Sequence, residues 1–120
     1  MNESIVVKKS FDFAVKIVNF YKIFSIEKKE YVLSKQFLRS GTSIGANVRE
    51  AQNAQSKMDF IHKLSIAQKE CDETIYWFQL LKETNFISSD EGDSLINDAT
   101  ELLKIIRSII VTTKKNIGSN

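Results

Sequence analysis

The chain contains no proline, one cysteine, one histidine and only four glycines in 120 residues. So few turn formers argue against a small all-β domain and for helices. The lone Cys71 permits no internal disulfide and speaks against a cysteine-based zinc site; on an apolar helical face it reads as a small inert hydrophobe. The lone His62 follows Asp59 at i,i+3 spacing, but a di-metal bundle site needs two such motifs plus two further glutamates. No metal is therefore expected, and His62 reads as an exposed or half-buried helical residue. Cys71 and His62 are nine residues apart on one helix, roughly 13 Å along its axis, too far to act as nucleophile and base. There is no GxxxxGK[ST] phosphate loop, and Ser40, Thr42 and Ser43 have no identifiable base nearby. The expectation is a protein without enzymatic activity or cofactor. The most apolar run, Leu102 to Val111, is interrupted by Lys104 and Arg107, and a membrane span needs about 20 apolar residues. The opening MNESIVVKKSFDF lacks the layout of a signal peptide, so a cytoplasmic protein is expected.

What is present suits one helical domain over residues 1–120. Hydrophobic residues make up 42% of the chain, enough for a core. Apolar residues recur at three- and four-residue spacing in four stretches. Helix 1 is predicted from about Ser10, as N-cap, to Phe24. Ala14, Ile17, Val18, Tyr21 and Phe24 form its inner face, with Phe13 and Phe20 as a second stripe. After a connection at Ser25–Lys29, helix 2 is predicted from near Glu27 to about Gln52. Its inner face is Leu33, Phe37, Ile44, Val48 and Ala51. Gly41 and Gly45 cost this helix about 1 kcal/mol each relative to alanine, which close packing or a bend must offset. Ser56 with Asp59 marks the start of helix 3, which reaches Lys82 or Glu83 with Phe60, Ile61, Leu64, Ala67, Cys71, Ile75, Phe78 and Leu81 inward. Ser88 with Glu91 is a cleaner capping box for helix 4, whose stripe is Leu95, Ala99, Leu102, Ile106 and Ile109. That helix closes at Lys114 and Lys115, leaving Ile117 to Asn120 as a frayed tail. Short links between four helices favour an antiparallel up-down-up-down bundle, an all-α fold.

The net charge is only +2 but is unevenly spread. Residues 1–63 carry eleven Lys/Arg against six Asp/Glu, residues 64–103 carry two against nine, and residues 104–120 carry four and none. A polarised molecule is suited to head-to-tail assembly or to presenting one basic surface, although solvated faces also vary in charge by chance.

Residues 39–78 organise the rest. Gly41, Ser43, Gly45 and Ala46 let another backbone approach, and Asn47 and Glu50 share a helical face at that approach. The residues Arg39-Ser40, Thr42-Ser43-Ile44-Gly45-Ala46-Asn47, Glu50, Ser56-Lys57, Phe60, Ala67 and Glu73 resemble the bacterial four-helix-bundle proteins named after reading frames inside intervening sequences of 23S ribosomal RNA genes. Many of those proteins have Pro where this chain has Gly45, and often Gly where it has Ala51. The resemblance covers nearly the whole chain. It implies the same bundle fold, a homo-oligomer in the form of a ring-like pentamer, and kinship with accessory proteins of diversity-generating retroelements, which work with a reverse transcriptase and its RNA.

Two functions from different classes follow. In the first, an oligomer presents a basic face to RNA or DNA, with Lys8, Lys9, Lys16, Lys28, Lys29, Lys35, Arg39 and Arg49 as phosphate contacts; no motif that reads bases is present. In the second, the chain is a structural or interaction module whose partner is another polypeptide. Tyr76, Trp77 and Leu80 lie off the core stripe of helix 3 and are expected at a protomer contact. Asn47, Glu50 and Glu73 are expected to satisfy backbone groups or one another where helices 2 and 3 meet, with Arg39 or Arg49 as partner to Glu73, or else to line a contact or ligand surface.

Overall fold

The computed structural model describes residues 2–118, with side chains from Ile5 onward. Its elements are α1 (Asn2–Glu27), α2 (Leu33–Ala51), α3 (Lys57–Glu83) and α4 (Ser89–Gly118). Each helix packs on two neighbours, α1 on α2 and α4, and α3 on α2 and α4. Residue pairs fix the directions: Arg39 meets Glu70 while Glu50 meets Lys63, and Lys9 meets Glu101 while Lys16 meets Asp98. As one helix rises its neighbour falls, so this is an antiparallel bundle, elongated to 53 × 22 × 21 Å.

Its two halves are filled differently. Near the α1–α2 turn the core is aromatic: Phe37 lies 5.0 Å from Phe78 and 5.6 Å from Phe24, and Phe20 reaches Phe78 across the bundle at 5.9 Å. Toward the other end it is aliphatic, with Val6, Ile44, Val48, Leu64, Ala67 and Ile106 fully buried. The predicted stripe of α4 is buried throughout, and so is most of that of α3, with Phe60 and Ile75 half-buried. On α2, Leu33 is half-buried and the other four predicted residues are buried.

Helix α1 departs from expectation. It starts at Asn2, not Ser10. Ser10 is a buried mid-helix residue whose hydroxyl donates to the Val7 carbonyl at 3.2 Å. Burial of Val6 explains the longer helix, because the first turns join the core. The inner stripe is Val6, Ser10, Phe13, Ile17 and Phe24, while Val18 is exposed. Phe13 and Val18 were interchangeable on periodicity alone, since α1 is apolar on two sides.

The first turn also lies later than expected, because α1 runs on to Glu27 and α2 begins at Leu33. Lys29 takes the left-handed conformation (φ 51°), and the Glu30 amide donates to the Ser25 carbonyl, closing α1 as a glycine usually does. The Glu30 carboxylate then accepts the amides of Leu33 and Ser34 at 3.0 and 2.8 Å, capping α2. The later starts follow the predicted caps. The Ser56 hydroxyl accepts the Asp59 amide at 3.0 Å. Ser88 and Glu91 exchange both bonds of a capping box, at 3.1 and 3.3 Å. Helix α4 continues through Ile117 to Gly118, while Ser119 and Asn120 of the expected tail lie outside the described residues.

Helix α2 is continuous through Gly41 and Gly45. A Cβ on Gly41 would stand 2.9 Å from the Ile17 side chain, and one on Gly45 would stand 3.0 Å from the backbone carbonyl oxygen of Ser10. The two glycines thus seat α2 against α1, and at Gly45 the obstacle is main chain that no rotamer change relieves. Gly45→Leu is expected to push α1 away and cost about 1–3 kcal/mol through overpacking. A thermal melt superimposable on the parent would refute this close approach.

Candidate nucleic-acid interface

The eight cations expected to meet phosphate fall into two groups. Lys8 pairs with Asp12 at 3.0 Å, Lys9 with Glu101 at 2.9 Å and Lys16 with Asp98 at 2.5 Å. Arg39 bridges Glu70 at 3.1 Å and also pairs with Glu73. Glu101, by hydrogen bond and charge, raises the Lys9 ammonium above its ordinary range. Lys9 and Lys16 line a cavity of ≈ 220 Å³ between α1 and α4 with Asp98 and Glu101, so these two pairs serve the α1–α4 seam. The acidic block of residues 64–103 thus neutralises three of the eight within the chain. Exposed pairs of this kind contribute little to stability. They nonetheless turn free charges into dipoles.

The second group, Lys28, Lys29, Lys35 and Arg49, is exposed and has no ion-pair partner among the described residues. The three lysines surround the α1–α2 turn. Arg49 lies at the opposite end, stacked over the Phe11 ring at 5.5 Å.

Arg49 has company that the sequence argument left off its list of contacts. Lys82 meets Asp93 at 2.6 Å, so the start of α3 runs beside the end of α4. That places Lys57 and Lys69 of α3 in the same half of the bundle as Lys104, Arg107 and Lys114 of α4. All five are exposed and none has an ion-pair partner among the described residues. Most described carboxylates nearby are engaged, although Asp72, three residues after Lys69, is exposed and has no ion-pair partner among the described residues. Asp12 holds Lys8, Glu50 holds Lys63, Glu70 holds Arg39, and Asp59 accepts the Gln55 amide. The signal was legible as the acid-free segment 104–120; what was missing was the helix pairing that sets it beside the start of α3.

Several of the motif residues join helices, and Asn47 does not. Asn47 donates to the Ser43 carbonyl of its own helix at 2.9 Å, and Glu50 takes Lys63 across to α3 at 3.2 Å. Asn47 and Glu50 do not bond each other. Of the two arginines proposed for Glu73, Arg39 is the partner, and Glu73 also accepts the Trp77 indole N–H at 3.1 Å. Below them Thr74 donates to Ser40 at 2.9 Å in the buried interface. Phe60 is half-buried and Ala67 buried in the core. Of the expected contact residues, Tyr76 is exposed, and Trp77 and Leu80 are half-buried.

His62 is exposed, and no three of His, Cys, Asp and Glu cluster tightly enough for a metal among the described residues. No helix there is long and apolar enough to cross a membrane. Cys71 is buried, and burial, with the nearby Asp72 and Glu70, pushes its thiol from 9.0 up to about 12. Between these values the unfolded chain releases the thiol proton and the native chain keeps it. The Cys71 contribution is therefore present below pH 9 and lost as pH rises through 12. Chemical denaturation should show the parent losing more stability than Cys71→Ala over that interval; parallel losses would contradict the burial effect.

The fold defines an antiparallel four-helix bundle. The chain belongs to the 23S rRNA-intervening sequence protein family, whose profile matches residues 2–108. It is similar to a crystal structure from Bacteroides thetaiotaomicron described as a protein with unknown function from the S23 ribosomal protein family. Identity is 55%, covering 92% of this chain and 98% of that one, with a TM-score of 0.90. No curated protein matches.

Proposed function

We propose that the protein is a non-enzymatic, cytoplasmic homo-oligomer, a pentamer by family resemblance, that binds nucleic acid through the phosphates. The supporting observation is the half of the bundle that carries Lys57, Lys69, Lys104, Arg107 and Lys114, five exposed cations without ion-pair partners among the described residues. A cation with no internal partner releases a condensed counterion on meeting a phosphate without first giving up a carboxylate. Among the described residues no exposed aromatic alternates with these cations of α3 and α4 as a stacking platform, so contact with the backbone and tolerance of sequence are the chemistry this surface offers. An oligomer repeats the patch, and linked weak sites gain apparent affinity without new contacts. The resemblance to retroelement accessory proteins points to RNA as the first ligand to try. Lys28, Lys29 and Lys35 form a lesser patch at the far end.

The second reading, a module for a polypeptide partner, is favoured by one observation: among the described residues, six of the eleven exposed large hydrophobics lie on α1. Gel shifts at low salt with single-stranded RNA and duplex DNA separate the two. Binding to duplex DNA should fall by roughly 500-fold between 50 and 200 mM salt if five phosphates are contacted. The triple reversal Lys104→Glu, Arg107→Glu, Lys114→Glu should abolish the shift with helix content unchanged. Lys28→Glu, Lys29→Glu, Lys35→Glu should weaken it less. Arg39 is left out of these variants because its reversal would repel Glu70 and Glu73. Absence of a shift by the parent protein at micromolar concentration would overturn the nucleic-acid reading and leave the polypeptide-partner reading.

A further inference from the structure

On α1, Phe11, Val15 and Val18 are 53%, 45% and 39% exposed and follow one another at four- and three-residue spacing, a single outward stripe. The stripe borders a groove between α1 and α2 in which Ala14, Gly45 and Ala46 leave room. Two openings there measure ≈ 420 and ≈ 250 Å³ and share Phe11 and Ala14. A contiguous apolar surface, unlike scattered exposed residues, marks a contact.

The charge around the groove says what fits it. Arg49 caps the end at Phe11, and Lys22 stands one turn beyond Val18; neither has an ion-pair partner among the described residues. The adjoining carboxylates are spent, Asp12 on Lys8 and Glu50 on Lys63. The occupant must therefore offer an apolar centre with a carboxylate to either side.

The chain carries such a surface on α3. Tyr76 is 54% exposed, with Asp72 one turn before it and Glu83 two turns after, both exposed and without ion-pair partners among the described residues. Its ring packs at 5.0 Å against Trp77, which Glu73 holds by the indole N–H, so the projection is braced. Phe11 to Lys22 and Asp72 to Glu83 are both eleven-residue steps along a helix, each about 16 Å, so the two charge patterns match in length.

We propose that the α1–α2 groove is the docking site for the Tyr76 face of a second copy of this chain. The proposal rests on the homo-oligomeric reading above and assigns its two faces. Because the faces differ, the contact is heterologous, and every copy presents one face and receives the other. Repetition closes a ring where the rotation permits.

Two measurements test it. Light scattering of the parent across the micromolar range comes first: a 13.7 kDa monomer would overturn the homo-oligomer and this assignment together. With an oligomer in hand, tagged Val15→Cys and untagged Tyr76→Cys chains are co-expressed and oxidised; buried Cys71 does not compete. A disulfide between the two different chains is expected. Links only between like chains, or none, would overturn the face assignment while leaving the oligomer standing. Lys22→Glu with Arg49→Glu should shift the parent toward monomer, and adding Asp72→Lys with Glu83→Lys should restore assembly. Failure of that restoration, with each chain folded by circular dichroism, would count against the pairing.

Discussion

The close approach of α1 and α2 over Gly41 and Gly45 is the constraint on which the rest of the structure depends. Ile17 occupies the space that a side chain at 41 would need, and the Ser10 carbonyl occupies that at 45. Drawing α2 onto the backbone of α1 has two consequences. On the inner side, Ser40 comes to lie in the buried interface where it meets Thr74, so the small-residue stretch organises contacts with α3 as well as α1. On the outer side, no bulk rises between the helices, and the shallow apolar groove beside Phe11 remains. Helix spacing and exposed surface therefore share one cause.

Electrostatics follow from the same antiparallel arrangement. A linear map of charge divides the chain into basic, acidic and basic blocks, but folding lays the acidic block against the first basic one. Glu101 and Asp98 reach α1, and Glu70 and Glu73 reach α2. Among the described residues, the cations that stay without an ion-pair partner include those in the second half of α4 and the first half of α3, besides the lysines around the α1–α2 turn. The cations proposed to meet phosphate thus come from two sequence segments brought together by the pairing of α3 with α4.

Much of the fold was legible in the sequence. The capping pairs at Ser56 and Ser88 placed the starts of α3 and α4, and α4 buries its predicted stripe because its opposite face is clearly polar. Helix α1 was harder to read because it has two apolar sides. Phe13 and Val18 both satisfy helical spacing, and only the positions of α2 and α4 decide that Phe13 goes inward. Ser10 imitated an N-cap because a small hydroxyl residue is equally useful where backbones touch. The turn after α1 was misplaced because Lys29 holds a left-handed conformation that nothing in its side chain announces, and because a glutamate, Glu30, caps α2. At the candidate site, segment charge was visible from sequence alone, whereas pairing was not: Lys9 and Lys104 look alike until Glu101 is found beside one of them.

The motif residues carry a related lesson about what a recognisable pattern records. Glu73 takes a guanidinium from α2 and an indole N–H from its own helix, and Glu50 takes an ammonium from α3. Asn47 turns back to its own helix at the Ser43 carbonyl. Polar residues at a helix–helix contact carry geometric information that apolar ones lack, because a misaligned pair loses its hydrogen bonds whereas a misaligned leucine finds other neighbours. Arg39, Glu70, Glu73 and Trp77 together fix the register of α2 against α3 and the direction in which Trp77 supports Tyr76. The family pattern in this chain thus specifies a bundle geometry, and the surfaces available to partners are set by what that geometry leaves uncovered.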